Sequence, residues 1–176
     1  MIKYTRQDLL DAIDENDYHR VRRIFRESKK NTILINNTWS DDNSLIRSIK
    51  SALSGSDLDK FNPRVIVLLF KYGAICVNGY KSNTLNTGIT WANSYIRSFE
   101  KNERNRSIAE ENAFCVLRLL VNNEVIPENS GTLGFSKMGY DNTLSVIMKT
   151  QNLQILRFMM DTNLCLRSNN ENDQNK

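Results

Sequence analysis

The chain has 176 residues, 40% of them hydrophobic and 25% charged, so it is long enough to bury a core and too apolar to be disordered. Its 24 Lys and Arg against 20 Asp and Glu give a net charge of +4, short of what a dedicated nucleic-acid protein shows. The longest apolar run, Val65 to Phe70, is far below the roughly 20 residues of a membrane span, and the polar Thr5 to Asp8 leaves no apolar secretory core; the expectation is a cytoplasmic domain without a membrane.

Thr5-x-x-Asp8 has the form of a capping box, in which hydroxyl and carboxylate satisfy the free N–H groups of a helix start. A helix is predicted there, with Leu9, Leu10 and Ile13 on one face. Asn16-Asp17 interrupts, and a second amphipathic segment carries Tyr18, Val21, Ile24 and Phe25. The same shape, a weaker apolar segment, a polar break and a stronger one, returns three times. The strong segments begin at residues 21, 65, 116 and 155, which is 44, 51 and 39 residues apart. Periods of this size mark a helical repeat, where each helix pair must stack on a neighbour to bury its apolar face. Insertions are expected at Ser54 to Asn62 and around Lys101 to Asn112. Each strong helix is followed by a polar link with an aromatic or Met: Trp39, Tyr80, then Phe135 to Tyr140.

Little in the chain suggests catalysis or metal binding. His19 is the single histidine, and Cys76, Cys115 and Cys165 lie apart in apolar stretches, which reads as buried, reduced thiols. Asp41-Asp42 and Glu110-Glu111 are adjacent acids whose side chains diverge, with no partner acid at a defined spacing. The Asn bias, about one residue in eight, is a trace of AT-rich coding sequence. Arg20, Arg22, Arg23, Arg26, Lys29 and Lys30 form a basic run that reads first as the solvated cover of a terminal repeat and, alternatively, as a nucleic-acid-binding face.

The segment Arg64-Val65-Ile66-Val67-Leu68-Leu69-Phe70-Lys71-Tyr72-Gly73-Ala74, followed by Asn78, resembles the second helix and glycine turn of the ankyrin repeat family. Thr143 to Leu164 follows the family register without a gap, with Asn163-Leu164 where Gly-Ala is expected, and Ala12 to Phe25 is similar again, with Asn16 in place of the inter-helix Gly. No unit contains T-P-L-H. In its place stand Asn43-Ser44-Leu45, Asn83-Thr84-Leu85 and Asn142-Thr143-Leu144, with Ser or Thr at the helix start and Leu as the first core residue.

The resemblance implies an all-α fold of four stacked helix-turn-helix units, an ankyrin-like solenoid with long insertions and short hairpin-like links, over residues 5–38, 39–78, 79–136 and 137–166, with 167–176 a flexible polar tail. Leu9, Val21, Leu45, Leu68, Leu85, Leu119, Leu144, Ile155 and Phe158 are its expected core. It implies a non-catalytic protein-protein interaction module without cofactor or metal, a monomer rather than an oligomer, with another protein as partner and nucleic acid disfavoured. The family's occurrence in large DNA viruses and intracellular bacteria implies an action on host signalling. Partner binding would use the link tips and the open side of the first helices. The residues so assigned are Trp39, Asp42, Tyr80, Lys81, Ser82, Trp91, Met138 and Asp141, with Asp14, Glu15, Lys50, Ser51, Thr90, Lys149 and Thr150 as further first-helix positions.

Overall fold

A computed structural model describes residues 4–28, 43–55, 57–75, 84–123 and 143–161. All regular structure among them is helical: eight α-helices and one 3-10 turn, with no strand. The helices are α1 (Arg6–Asp14), α2 (Tyr18–Glu27), α3 (Ser44–Leu53), α4 (Arg64–Lys71), α5 (Thr84–Ser98), α6 (Glu103–Asn123), α7 (Thr143–Thr150) and α8 (Leu153–Asp161); the 3-10 turn is Leu58–Lys60.

The expected capping box opens α1: the Asp8 amide donates to the Thr5 hydroxyl at 3.2 Å, and the Thr5 amide donates to the Asp8 carboxylate at 2.7 Å. Leu9, Ala12 and Ile13 on its inner face are fully buried. The helix ends in a Schellman turn. Asn16 has a φ of 52°, its amide donates to the Ile13 carbonyl, and the Asp17 amide donates to the Ala12 carbonyl. Asp17 then caps α2 by accepting from the Arg20 amide at 2.9 Å. At the end of α4 the same device recurs with Gly73 at φ 89°: Gly73 donates to the Phe70 carbonyl and Ala74 to the Leu69 carbonyl. Between α7 and α8, Gln151 takes the position at φ 53° and Asn152 caps α8.

The cap at the α3 start differs from the sequence expectation. Asn43, not Ser44, is the capping residue, and its side-chain oxygen accepts from the Leu45 and Ile46 amides at 2.9 and 3.3 Å. Ser44 and the equivalent Thr84 are the first helical residues and are fully buried. A small side chain is needed there because the helix start is pressed into the stack.

The eight helices fall into four sequential pairs, each packed within itself, and the pairs are joined in order. Contacts run from α1 to α3 to α5 to α7 in an inner row, and from α2 to α4 to α6 in an outer one. The outer row reaches α8 through Phe114 of α6 and Phe158 of α8, which stack in parallel at 5.1 Å. The core is the seam between the rows. Leu45, Ile49, Leu85, Ile89 and Ile96 enter it from the inner helices, and Val21, Val65, Leu69, Val116, Leu117 and Ile155 from the outer ones. Each such side chain stabilises the fold by about 1.5–3 kcal/mol through burial.

Leu9, Val21, Leu45, Leu68, Leu85 and Ile155 are buried as expected. Leu119 and Phe158 are instead half-buried against the edge of the core. They occupy the same register position in the last two pairs. The Leu144 side chain lies outside the described residues, as do Cys76, Cys165, Asn78 and Asn163-Leu164. Cys115 is a free thiol and only half-buried.

The insertion expected around Lys101 to Asn112 is largely helical. From Glu103 onward it is the first half of α6, which has 21 residues against 10, 8 and 9 in the other outer helices. Its partner α5 has 15, against 9, 10 and 8 in the inner row. The connection is Phe99 to Asn102, with the Asn102 side chain accepting from the Asn105 amide at 3.1 Å. The third pair is therefore a long hairpin. Inside it, Gly88 lets the helices close: a Cβ there would lie 2.4 Å from Leu120 Cδ1.

Candidate functional site

Most of the tip row assigned from the sequence lies outside the described residues: Trp39, Asp42, Tyr80, Lys81, Ser82, Met138 and Asp141 all do. Trp91 is described. It sits in the middle of α5, half-buried and packed against the core, and is not the freely exposed first-helix side chain that the register suggested. Thr150 also departs, since it is buried and its hydroxyl donates to the Ile147 carbonyl at 2.7 Å. Asp14, Glu15, Thr90 and Lys149 are exposed as expected, and Lys50 and Ser51 are half-buried.

Asp14 joins two helix pairs. Its carboxylate accepts from Arg47 Nε at 2.9 Å and forms a second contact with Arg47 Nη2, while its carbonyl accepts from the Ser51 hydroxyl at 2.9 Å. The position that the resemblance assigns to a partner is here used in the α1–α3 contact.

One concavity lies where the α1–α2 turn meets the α3–α4 loop. It is an open cleft of about 400 Å³, walled by Asp14, Asn16, Asp57, Phe61 and Asn62, with Tyr95 among its lining residues. The turn and the α3–α4 loop are tied across it: the Asn16 amide group donates to the Asn62 carbonyl at 3.1 Å. Tyr95 is buried, 6.5 Å from Phe61 and 5.3 Å edge-on to Phe99, and its hydroxyl accepts from Asn112 Nδ2 at 3.3 Å. Burial pushes the Tyr95 phenol above its ordinary pKa, the Asn112 hydrogen bond opposes the rise, and the Asp57 carboxylate adds to it.

Sequence reasoning missed this aromatic group. Phe61 sits in one expected insertion, and Tyr95, Phe99 and Asn112 belong to the long α5–α6 hairpin, so the two irregular regions support each other. A smaller cleft of about 310 Å³ lies on the other side of the hairpin, between Arg97 and Arg106 and the α7–α8 turn at Gln151 and Asn152.

The charges in the larger cleft are already balanced within the chain. Asp14 is held by Arg47, Glu15 by Arg20 at 3.0 Å, and Asp57 by Lys60 at 3.5 Å. Among the described residues no three His, Cys, Asp or Glu gather around a common point, and no helix is long and apolar enough to cross a membrane. The arrangement can hold a surface contact, and it offers no nucleophile paired with a base. Comparison with protein-family models, with curated proteins and with solved structures finds no match to this chain.

Proposed function

We propose that the chain is a non-catalytic protein-interaction module built as an ankyrin-like solenoid of four helix pairs. The observation that carries the reading is the repeated turn. Asn16 and Gln151 take the left-handed conformation at the inter-helix position where the family has Gly, and Gly73 takes it at the turn after a second helix. The ordered contacts of the inner and outer rows support it further, since pairs stacked in sequence give a continuous core and an extended surface.

In this reading the partner is another protein, bound along the edge of links that carries Trp39, Tyr80 and Met138. Large side chains at such positions are of the kind that dominates binding energy. The test is the Trp39→Ala/Tyr80→Ala double variant, examined by pull-down against a cell lysate and by thermal melt. Loss of the captured partner with a melting temperature within a few degrees of the parent supports the tip row. A melting temperature lowered by much more would mean that the two aromatics are core, and would retire it.

A further inference from the structure

The outer row carries most of the positive charge of the described helices. Helices α2, α4, α6 and α8 hold ten Lys and Arg against five Asp and Glu, whereas α1, α3, α5 and α7 hold five against three. Of the ten, Arg20 is paired with Glu15 and Arg106 with Glu110. The other eight have no carboxylate within ion-pair distance among the described residues.

The strong apolar segments set the register of this row. The third residue of each is Arg23, Val67, Arg118 and Arg157, and all four are exposed. Helices packed side by side lie about 8–10 Å apart, so a line through these four positions would run about 25–30 Å across the outer face. Two cations on this face are held in place by rings of the adjacent helix: Arg64 lies 4.2 Å over Tyr18, and Arg118 lies 5.7 Å over Phe158. Guanidinium groups fixed in this way lose less freedom when they meet a carboxylate.

Apolar side chains are interleaved with the cations. On α4, Val67 is 48% exposed and stands between Arg64 and Lys71 at helical spacing; on α8, Leu153 and Met160, 68% and 56% exposed, flank Arg157 in the same way. Four of the six large hydrophobic side chains exposed among the described residues, counting Ile108, belong to the outer row.

We propose that this outer face docks an acidic amphipathic helix of another protein, laid across α2, α4, α6 and α8. A helix of roughly 20 residues spans 30 Å, and its residues seven apart repeat every 10.5 Å or so, close to the spacing of the arginine line. Its acidic side chains meet Arg23, Arg118 and Arg157, and its apolar stripe covers Val67, Leu153 and Met160. A nucleic-acid backbone would use the cations and leave the aliphatic side chains in water. A membrane surface would call for exposed aromatic anchors, and the outer-row aromatics Tyr18, Phe114 and Phe158 are half-buried in packing contacts. The proposal uses none of the link residues Trp39, Tyr80 and Met138 and does not depend on them.

The test uses the full chain in a fluorescence anisotropy titration with four probes. They are a helical peptide of Glu and Leu with Leu at core spacing, a peptide of Glu and Gly with the same charge, a single-stranded oligo-dT, and vesicles containing phosphatidylserine. Two variants are compared with the parent: Arg23→Glu/Arg157→Glu, and Val67→Ser/Met160→Ser. All these side chains are exposed, and a melt of each variant verifies folding. Because the pairs sit at different places, one variant keeps the test decisive if the other is unstable.

The expected result is tightest binding of the Glu-Leu peptide, weakened about tenfold or more by the charge variant and several-fold by the apolar one. Equal binding of the Glu-Gly peptide overturns the proposal, as does tighter binding of oligo-dT or vesicles, or parent-like binding by the folded variants. The Trp39→Ala/Tyr80→Ala protein should bind the Glu-Leu peptide like the parent, so the outer-face and tip-row readings fail separately.

Discussion

Asn16 and Gly73 are chosen by backbone geometry. Each ends a helix with positive φ, where a Cβ is costly for residues other than Gly and Asn. A Cβ at Gly73 would have no atom within 4 Å, so Gly73→Ala tests the backbone alone and should cost about 1 kcal/mol in a urea melt. Asn16→Ala should cost a similar amount plus the lost hydrogen bond to Asn62, whereas Asn16→Gly should lose that hydrogen bond alone. Gly88 is required for the opposite reason. Its φ is helical, and Ala would gain about 1 kcal/mol in helix propensity, but the new methyl would overlap the fully buried Leu120. Gly88→Ala should therefore lower the melting temperature, and a rise would show that α5 and α6 pack less closely.

The capping box makes a pH-dependent statement at the same scale. Hydrogen bonds from the Thr5 hydroxyl and amide hold the Asp8 carboxyl below its ordinary pKa. A depressed folded-state pKa contributes stability above the unfolded pKa of about 3.9, and that contribution is lost as pH falls through the lower folded value. Asp8→Asn should flatten the acid limb of the stability curve below about pH 4, and Thr5→Ala should cost about 1 kcal/mol near neutrality. Of these residues, Thr5 and Asp8 were legible from their spacing, and Asn16 and Gly73 from the resemblance to the repeat family. Gln151 was not, because Gln has no marked preference for the left-handed region and only the tertiary turn imposes it.

The irregular third pair shows what periodicity misses. The first half of α6 has only Ala109 and Ala113 as buried residues, too little apolar volume to stand out among its charged neighbours, so the segment resembled a loop. Alanine is nevertheless the best helix former, and the small side chains suit the close helix contact. Phe61 and Tyr95 are far apart in sequence, and only the stacking of the second and third pairs brings them together. Tyr95→Ala should cost about 3–5 kcal/mol, as a buried aromatic does. Tyr95→Phe, which removes only the hydrogen bond from Asn112, should cost about 1 kcal/mol. Equal effects of the two changes in a denaturant melt would mean that the ring is not the part that holds the insertions together.

Across the whole molecule, the order of the four pairs was legible because the strong apolar segments recur. The faces were less so. Leu119 and Phe158 share the register of Ile24 and Leu68 and yet are half-buried, because burial at that position depends on which neighbour covers it. The unpaired arginines of the outer row were visible only in part, as Arg22, Arg23 and Arg26 in the basic run; Arg64, Arg118 and Arg157 join them through folding alone. Pairs that touch mainly their sequence neighbours should lose stability locally when one of them is damaged. The most direct measurement is native-state hydrogen exchange, read by mass spectrometry, on the Ile155→Ala variant, which opens a cavity in the last pair. Stacked pairs require that protection falls in α7 and α8, less in α5 and α6, and stays at the parent level in α1 and α2; an equal loss in all eight helices would contradict the account.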